Sequence, residues 1–92
     1  MIKRATITIF GEVQGVFFRV NTRDRAQELD LTGWVKNEAN ETVKILAEGQ
    51  QEQLVKLIDH CQSGHKLAKV QRVEVKWEGA TGEFKIFDII YN

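Results

Sequence analysis

The feature that most constrains this chain is the order in which its hydrophobic period switches between two residues and three to four. Residues 3–10 (KRATITIF) alternate, with Ala5, Ile7 and Ile9 on one side and Thr6, Thr8 and Phe10 on the other. That is the pattern of a half-buried strand rich in β-branched residues. Over 18–31 the period lengthens, and Phe18, Thr22, Ala26 and Leu29 fall at helical intervals with charges between them. Gly33, tolerant of positive φ, punctuates the end of that helix. Strands over 34–38 and 42–48 follow, separated by Ala39-Asn40-Glu41, a gap short enough for a hairpin. Gly49 closes the second of them. Leu54, Leu57, Ile58 and Cys61 set a second helix over 50–62, ended by Ser63-Gly64. Val73, Val75 and Trp77 share a face of a strand over 69–77, a Gly-containing turn covers 79–82, and a last strand over 84–91 is expected to pair with or extend the fourth.

Strand, helix, strand, strand, helix, strand predicts an α+β fold, the ferredoxin-like split βαβ sandwich (βαββαβ), with a mainly antiparallel sheet and both helices on one face. With 92 residues and no proline, linker or repeat, one domain over 1–92 is expected. That fold hosts many unrelated functions, so activity has to be read from a site. Thirteen basic and thirteen acidic side chains cancel. A balanced chain is a poor generic nucleic-acid binder, because affinity for a phosphate backbone comes from clustered Lys and Arg. One local anion site remains compatible with that balance. No apolar run approaches the roughly 20 residues that span a bilayer, and the N-terminus lacks a signal-like apolar core. The expected location is cytoplasmic, with no membrane association and a monomeric state. Cys61 is the single cysteine, so no intramolecular disulfide forms.

The chemistry concentrates in Gly11-Glu12-Val13-Gln14-Gly15-Val16-Phe17-Phe18-Arg19. A loop joining a strand to a helix lets backbone N–H groups converge beside the positive end of a helix dipole, where an anion is favoured. Gly15 allows a tight bend and close approach. Arg19 in the first helical turn opposes the dipole, a penalty that a bound phosphate on the guanidinium fork would reverse. From spacing alone, a simple turn with a solvated arginine fits as well. The segment is not a nucleotide P-loop, since it lacks the terminal Gly-Lys-[Ser/Thr].

The pattern G11-x-V13-Q14-G15-V16-x-F18-R19, followed by G33-x-V35-x-N37, resembles the acylphosphatase family. A47-E48-G49 and the A68-x-V70-x-x-V73 stretch are also similar, and the resemblance covers nearly the whole chain. It implies hydrolysis of the carboxyl–phosphate anhydride of small acyl phosphates to a carboxylate and inorganic phosphate, the latter a product or inhibitor. Arg19 would bind the phosphate, and Gln14, Gly15, Val16, Phe17, Phe18 and Arg19 would form the amide cradle. Asn37 would aim the attacking water at the acyl carbon, and no metal or cofactor would be needed. Asn37 has no accessible pKa and can only orient, so a substrate phosphate oxygen is the expected proton acceptor, with Glu12 as the rival base. An acyl phosphate is already activated, so positioning and charge stabilisation can supply most of the rate.

Two positions depart from the family's habits. Its hairpin often turns on Asp-Gly or Asn-Gly, whereas this chain has Asn40-Glu41; Glu41 at positive φ would cost of order 1 kcal/mol, unless the turn takes another form. The Gly-Pro often found after the second helix is Gly64-His65. Other readings are weaker. His60, Cys61 and His65 do not form a metal set, because Cys61 continues the apolar stripe and neighbouring helical residues point apart. Trp34 and Trp77 are expected to pack rather than to stack bases. Phe17 either lines the acyl side of a pocket or plugs the core. A non-catalytic domain of the hydrogenase-maturation type and a ferredoxin-like RNA-binding module complete the alternatives; the latter lacks the aromatic strand motif it would need.

Overall fold

The computed structural model describes residues 1–15, 17–63 and 68–91. The chain runs β1 (Ile2–Glu12), α1 (Phe18–Glu28), β2 (Thr32–Asn37), β3 (Val43–Gln50), α2 (Gln51–Ser63), β4 (Lys69–Gly79) and β5 (Phe87–Ile89). One sheet holds the strands in the order β4-β1-β3-β2-β5. β3 pairs antiparallel with both β1 and β2, and β4 pairs antiparallel with β1. The expected α+β, ferredoxin-like architecture is what forms. Ala5, Ile7, Ile9, Val35, Val43, Ile45 and Ala47 make the buried inner face of the sheet, roofed by Phe18, Thr22 and Ala26 of α1 and by Leu54, Leu57 and Cys61 of α2. No helix among the described residues is long and apolar enough to cross a membrane.

The last strand corrects the expectation from sequence. It neither pairs with nor extends β4, but crosses to the opposite edge and runs parallel to β2, Gly33 level with Phe87 and Val35 with Ile89. Core demand explains the choice: there Phe87 and Ile89 are buried among the residues that α1 covers, and the Gln27 amide donates to the Phe87 carbonyl at 3.0 Å. A hairpin onto β4 would have placed them at an edge whose own residues are mostly exposed.

Gly33 acts otherwise than as the punctuation expected. α1 stops at Glu28, and the left-handed residue after it is Asp30 (φ 57), not Gly33. Asp30 N donates to Gln27 O and Leu31 N to Ala26 O, a Schellman closure in which Asp is tolerated for its short polar side chain. Gly33 lies inside β2, where a Cβ would sit 1.8 Å from the Leu46 carbonyl oxygen. Gly11 belongs to β1 at a bulge against β4, a Cβ there lying 2.0 Å from the Lys69 carbonyl oxygen. Trp77 packs less than expected and is 41% exposed, whereas half-buried Trp34 carries Lys36 over its ring at 5.2 Å. Gly64 and His65 lie outside the described residues.

Buried polar groups tie the layers. Burial pushes the Cys61 thiol up to about 12, against a smaller lowering by its hydrogen bond with Thr22 of α1. A neutral, enclosed thiol is neither a nucleophile nor a metal ligand. Glu48 fastens the segment after β4 to the sheet. It accepts from Arg4 Nε at 2.7 Å, from the Thr81 amide at 2.9 Å and from the Gly82 amide at 3.0 Å. Burial pushes its carboxyl up, but those donors outweigh burial and hold it below the ordinary carboxylate value. A carboxylate so lowered stabilises the fold above its unfolded-state pKa, and that contribution disappears as the pH falls through the folded value. Urea titrations should therefore show stability falling below about pH 5. Glu48→Gln should flatten that acid limb and lower stability at pH 7 by about 1–3 kcal/mol, the loss from charge-assisted bonds to a buried group. An acid limb equally steep in the variant would assign the titration to other carboxylates.

Candidate active site

Strand direction assembles the site. β1 and β2 are each antiparallel to β3, so they run the same way, and β5 runs parallel to β2. The C-terminal ends of all three therefore lie along one edge. There the loop after β1, the first turn of α1, the β2–β3 hairpin and the residues after β5 come together.

The loop is pinned by Gln14, whose side-chain Nε2 donates to the carbonyls of Glu38 and Thr42, both at 2.9 Å. These carbonyls belong to the hairpin turn, in which Glu41 N donates to Glu38 O, Glu38 N to Thr42 O, and Glu41 adopts φ 70. That is a type I turn with a left-handed residue closing it. The positive φ expected at Glu41 is present, and Asn40 Oδ1 supports the turn by accepting from the Thr42 hydroxyl at 2.6 Å. One glutamine thus sets the loop against the residue that follows Asn37.

Beyond Gln14 the backbone bends at Gly15 (φ 75) and again at Phe17 (φ 61), which is the N-cap of α1. Among the described residues no side chain caps this helix, and its first turn has no acidic residue. The leading amides of a helix have no intrahelical acceptor, so these donors face outward at the positive end of the dipole. A Cβ on Gly15 would meet nothing within 4 Å, so the space beside it is open.

Gly15, Phe17, Phe18 and Arg19 line a cleft of about 290 Å³ together with Val13, Val20, Ile89 and Tyr91. The Arg19 guanidinium carbon lies 5.1 Å from the centre of the Tyr91 ring. Among the described residues no carboxylate pairs with Arg19. Phe17 is 70% exposed at the cleft, so it does not plug the core; Phe18, 4% exposed, does.

Of the residues expected from sequence, Gly15, Phe17, Phe18 and Arg19 meet in this cleft. Gln14 points its side chain to the hairpin instead, and Val16 lies outside the described residues. Asn37, the last residue of β2, is half-buried and pairs with Val43. Strand alternation with buried Gly33 and Val35 directs its side chain to the face that α1 covers. It is not among the cleft-lining residues, but Asn37 and Tyr91 each stand two residues beyond the paired Val35 and Ile89. Glu12, the rival base, is exposed and forms a 3.7 Å ion pair with Lys69 outside the cleft. Sequence reasoning missed Val13, Val20, Ile89 and Tyr91 as wall residues, because the last two reach the site only through the parallel pairing of β5 with β2. No group of three or more His, Cys, Asp or Glu among the described residues is arranged to hold a metal ion.

Comparison with known proteins follows the same outline. The family model described as Acylphosphatase matches residues 5–89. An acylphosphatase of Chloroflexus aurantiacus is 48% identical over 88 residues, covering 96% of this chain and 96% of that protein. The crystal structure of acylphosphatase from Bacillus subtilis superposes with a TM-score of 0.93 at 33% identity, covering 99% of this chain and 100% of that one. A segment of full-length HypF, in its phosphate- and nucleotide-bound form, superposes with a TM-score of 0.90 at 30% identity, covering 99% of this chain and 12% of HypF.

Proposed function

This chain belongs to the acylphosphatase family, and from that premise we propose that Arg19 and Asn37 carry the reaction of one domain spanning residues 1–92. The activity is that of an acylphosphatase, a hydrolase of acid anhydrides that acts on small acyl phosphates. One observation supports the part given to Arg19: it and the first turn of α1 border the same cleft, so a fork of donors and the leading helix amides can address one anion. The part given to Asn37 rests on the motif G33-x-V35-x-N37.

In this reading the phosphate of the substrate binds between the Arg19 guanidinium and the amides of residues 14–19. Asn37 holds a water by its carboxamide and directs it at the acyl carbon. Water's oxygen bonds to that carbon, the bond from the acyl carbon to the bridging oxygen breaks, and phosphate leaves. A phosphate oxygen of the substrate takes one of the water's protons, and the group departs as hydrogen phosphate. The other proton stays on the new carboxylic acid, which releases it to solvent to become the carboxylate, so no base from the protein is needed. Glu12 is a poorer base, being engaged with Lys69 away from the cleft. Cytoplasmic location, a monomeric state and inhibition by inorganic phosphate belong to the same proposal.

The test is the decay of benzoyl phosphate absorbance with a chelator present, run in ¹⁸O-enriched water. Enzyme-dependent decay with the label in benzoate is expected. Label in phosphate would move the attack to phosphorus while leaving Arg19 its role. Phosphate binding with no decay would instead indicate a non-catalytic module, and a salt-sensitive shift of RNA would favour a nucleic-acid role.

A further inference from the structure

Resting on that hydrolytic reading, we infer that Phe17 and Tyr91 wall an acyl subsite that selects neutral, apolar acyl groups over short or charged ones. Both rings stand exposed at the cleft. Phe17 holds φ 61 while 70% exposed, and Tyr91 is 72% exposed. A bulky side chain in the left-handed region, as at Phe17, is strained, and its exposed ring does not recover that by burial in the core. Such strain concentrates at ligand sites.

The lining of the cleft is chemically of two kinds. Arg19 and the helix amides are polar; beside Gly15, the remaining walls are Val13, Phe18, Val20, Ile89 and the rings of Phe17 and Tyr91. An acyl group is joined to phosphate through a single oxygen, so a substrate clamped at Arg19 must start its carbon chain among those apolar walls. The volume of about 290 Å³ is at the small end for a ligand cleft, enough for phosphate and a compact acyl group. Among the described lining residues only Arg19 carries a charge, so a carboxylate on the acyl tail finds no cationic partner beyond the arginine that the phosphate already engages. Tyr91 serves twice, since its ring also holds the Arg19 guanidinium by a cation–π contact at 5.1 Å.

The experiment compares kcat/KM for acetyl, propionyl, butyryl, benzoyl and 4-carboxybenzoyl phosphates in the parent, Phe17→Ala, Phe17→Leu and Tyr91→Ala proteins. Each added methylene should raise the parent's kcat/KM by roughly two- to fourfold, given about 0.8 kcal/mol per fully buried methylene and an open cleft. Benzoyl should exceed 4-carboxybenzoyl phosphate. The butyryl-to-acetyl ratio should fall towards one in Phe17→Ala and Tyr91→Ala and largely survive in Phe17→Leu. Since each ratio is taken within one protein, a general loss of fold or of phosphate binding cancels. A flat series in the parent, or a ratio unchanged in both alanine variants, overturns the acyl subsite while leaving hydrolysis intact. Absence of turnover with every acyl phosphate overturns hydrolysis itself, and this inference with it.

Discussion

Replacing Arg19 with lysine should raise the inhibition constant of inorganic phosphate by about 10- to 100-fold, and replacing it with alanine should lower kcat by about 10³ or more. The first figure follows from losing one or two charge-assisted hydrogen bonds, each worth about 1.5–3 kcal/mol. Lysine keeps the charge but presents a single ammonium where a planar fork is needed. The second is the scale on which an arginine stabilises charge on a transferring or departing phosphate. The change is interpretable because Arg19 contributes little to the fold. It is half-buried at the rim of the cleft, its described contact is the Tyr91 ring, and no carboxylate among the described residues loses a partner with it. Removing a cation from the first turn of α1 should even relieve the helix dipole slightly. Denaturant midpoints are therefore expected to change little while phosphate inhibition collapses. Equal phosphate inhibition in the parent and the lysine variant would show that the anion sits elsewhere.

Asn37→Ala should lower kcat by about 10²–10³, the usual loss for one preorganised donor acting on the reacting centre. Phosphate inhibition should stay within a few-fold of the parent, since the clamp lies on α1 and its loop. That split, turnover lost with anion affinity kept, separates a water-orienting role from a contribution to binding. The backbone at this position is held by its pairing with Val43 and by the neighbouring turn that Gln14 secures, so the alanine variant keeps the β2–β3 geometry. Full kcat in Asn37→Ala would remove the carboxamide from the reaction and return the water to bulk or to Glu12.

The fold was legible where local periodicity and burial agree. Ala5, Ile7 and Ile9 alternate into the core, and Leu54, Leu57, Ile58 and Cys61 form one helical stripe. Element ends were less legible. Asp30, rather than a glycine, took the left-handed position after α1, and Gly33 was needed for close approach to the Leu46 carbonyl. Both outcomes depend on which backbone lies opposite, and a one-dimensional pattern does not contain that. Residues 11–19 were legible as a family motif, and Glu41 takes the positive φ that the hairpin's length left open.

The family motifs pointed to the loop before α1, to Arg19 and to Asn37, while period and spacing, read along the chain, determined the strand and helix order. These are properties of neighbours a few residues apart, and local sterics and hydrogen bonding set them. Tertiary structure alone decided that β5 leaves β4 for the far edge of the sheet, that Gln14 turns from the cleft to bind the hairpin, and that Tyr91 stands over Arg19. Each of these joins residues more than twenty positions apart. The pairing of β5 is won by burying Phe87 and Ile89 under α1, a gain that exists only once the rest of the sheet is in place.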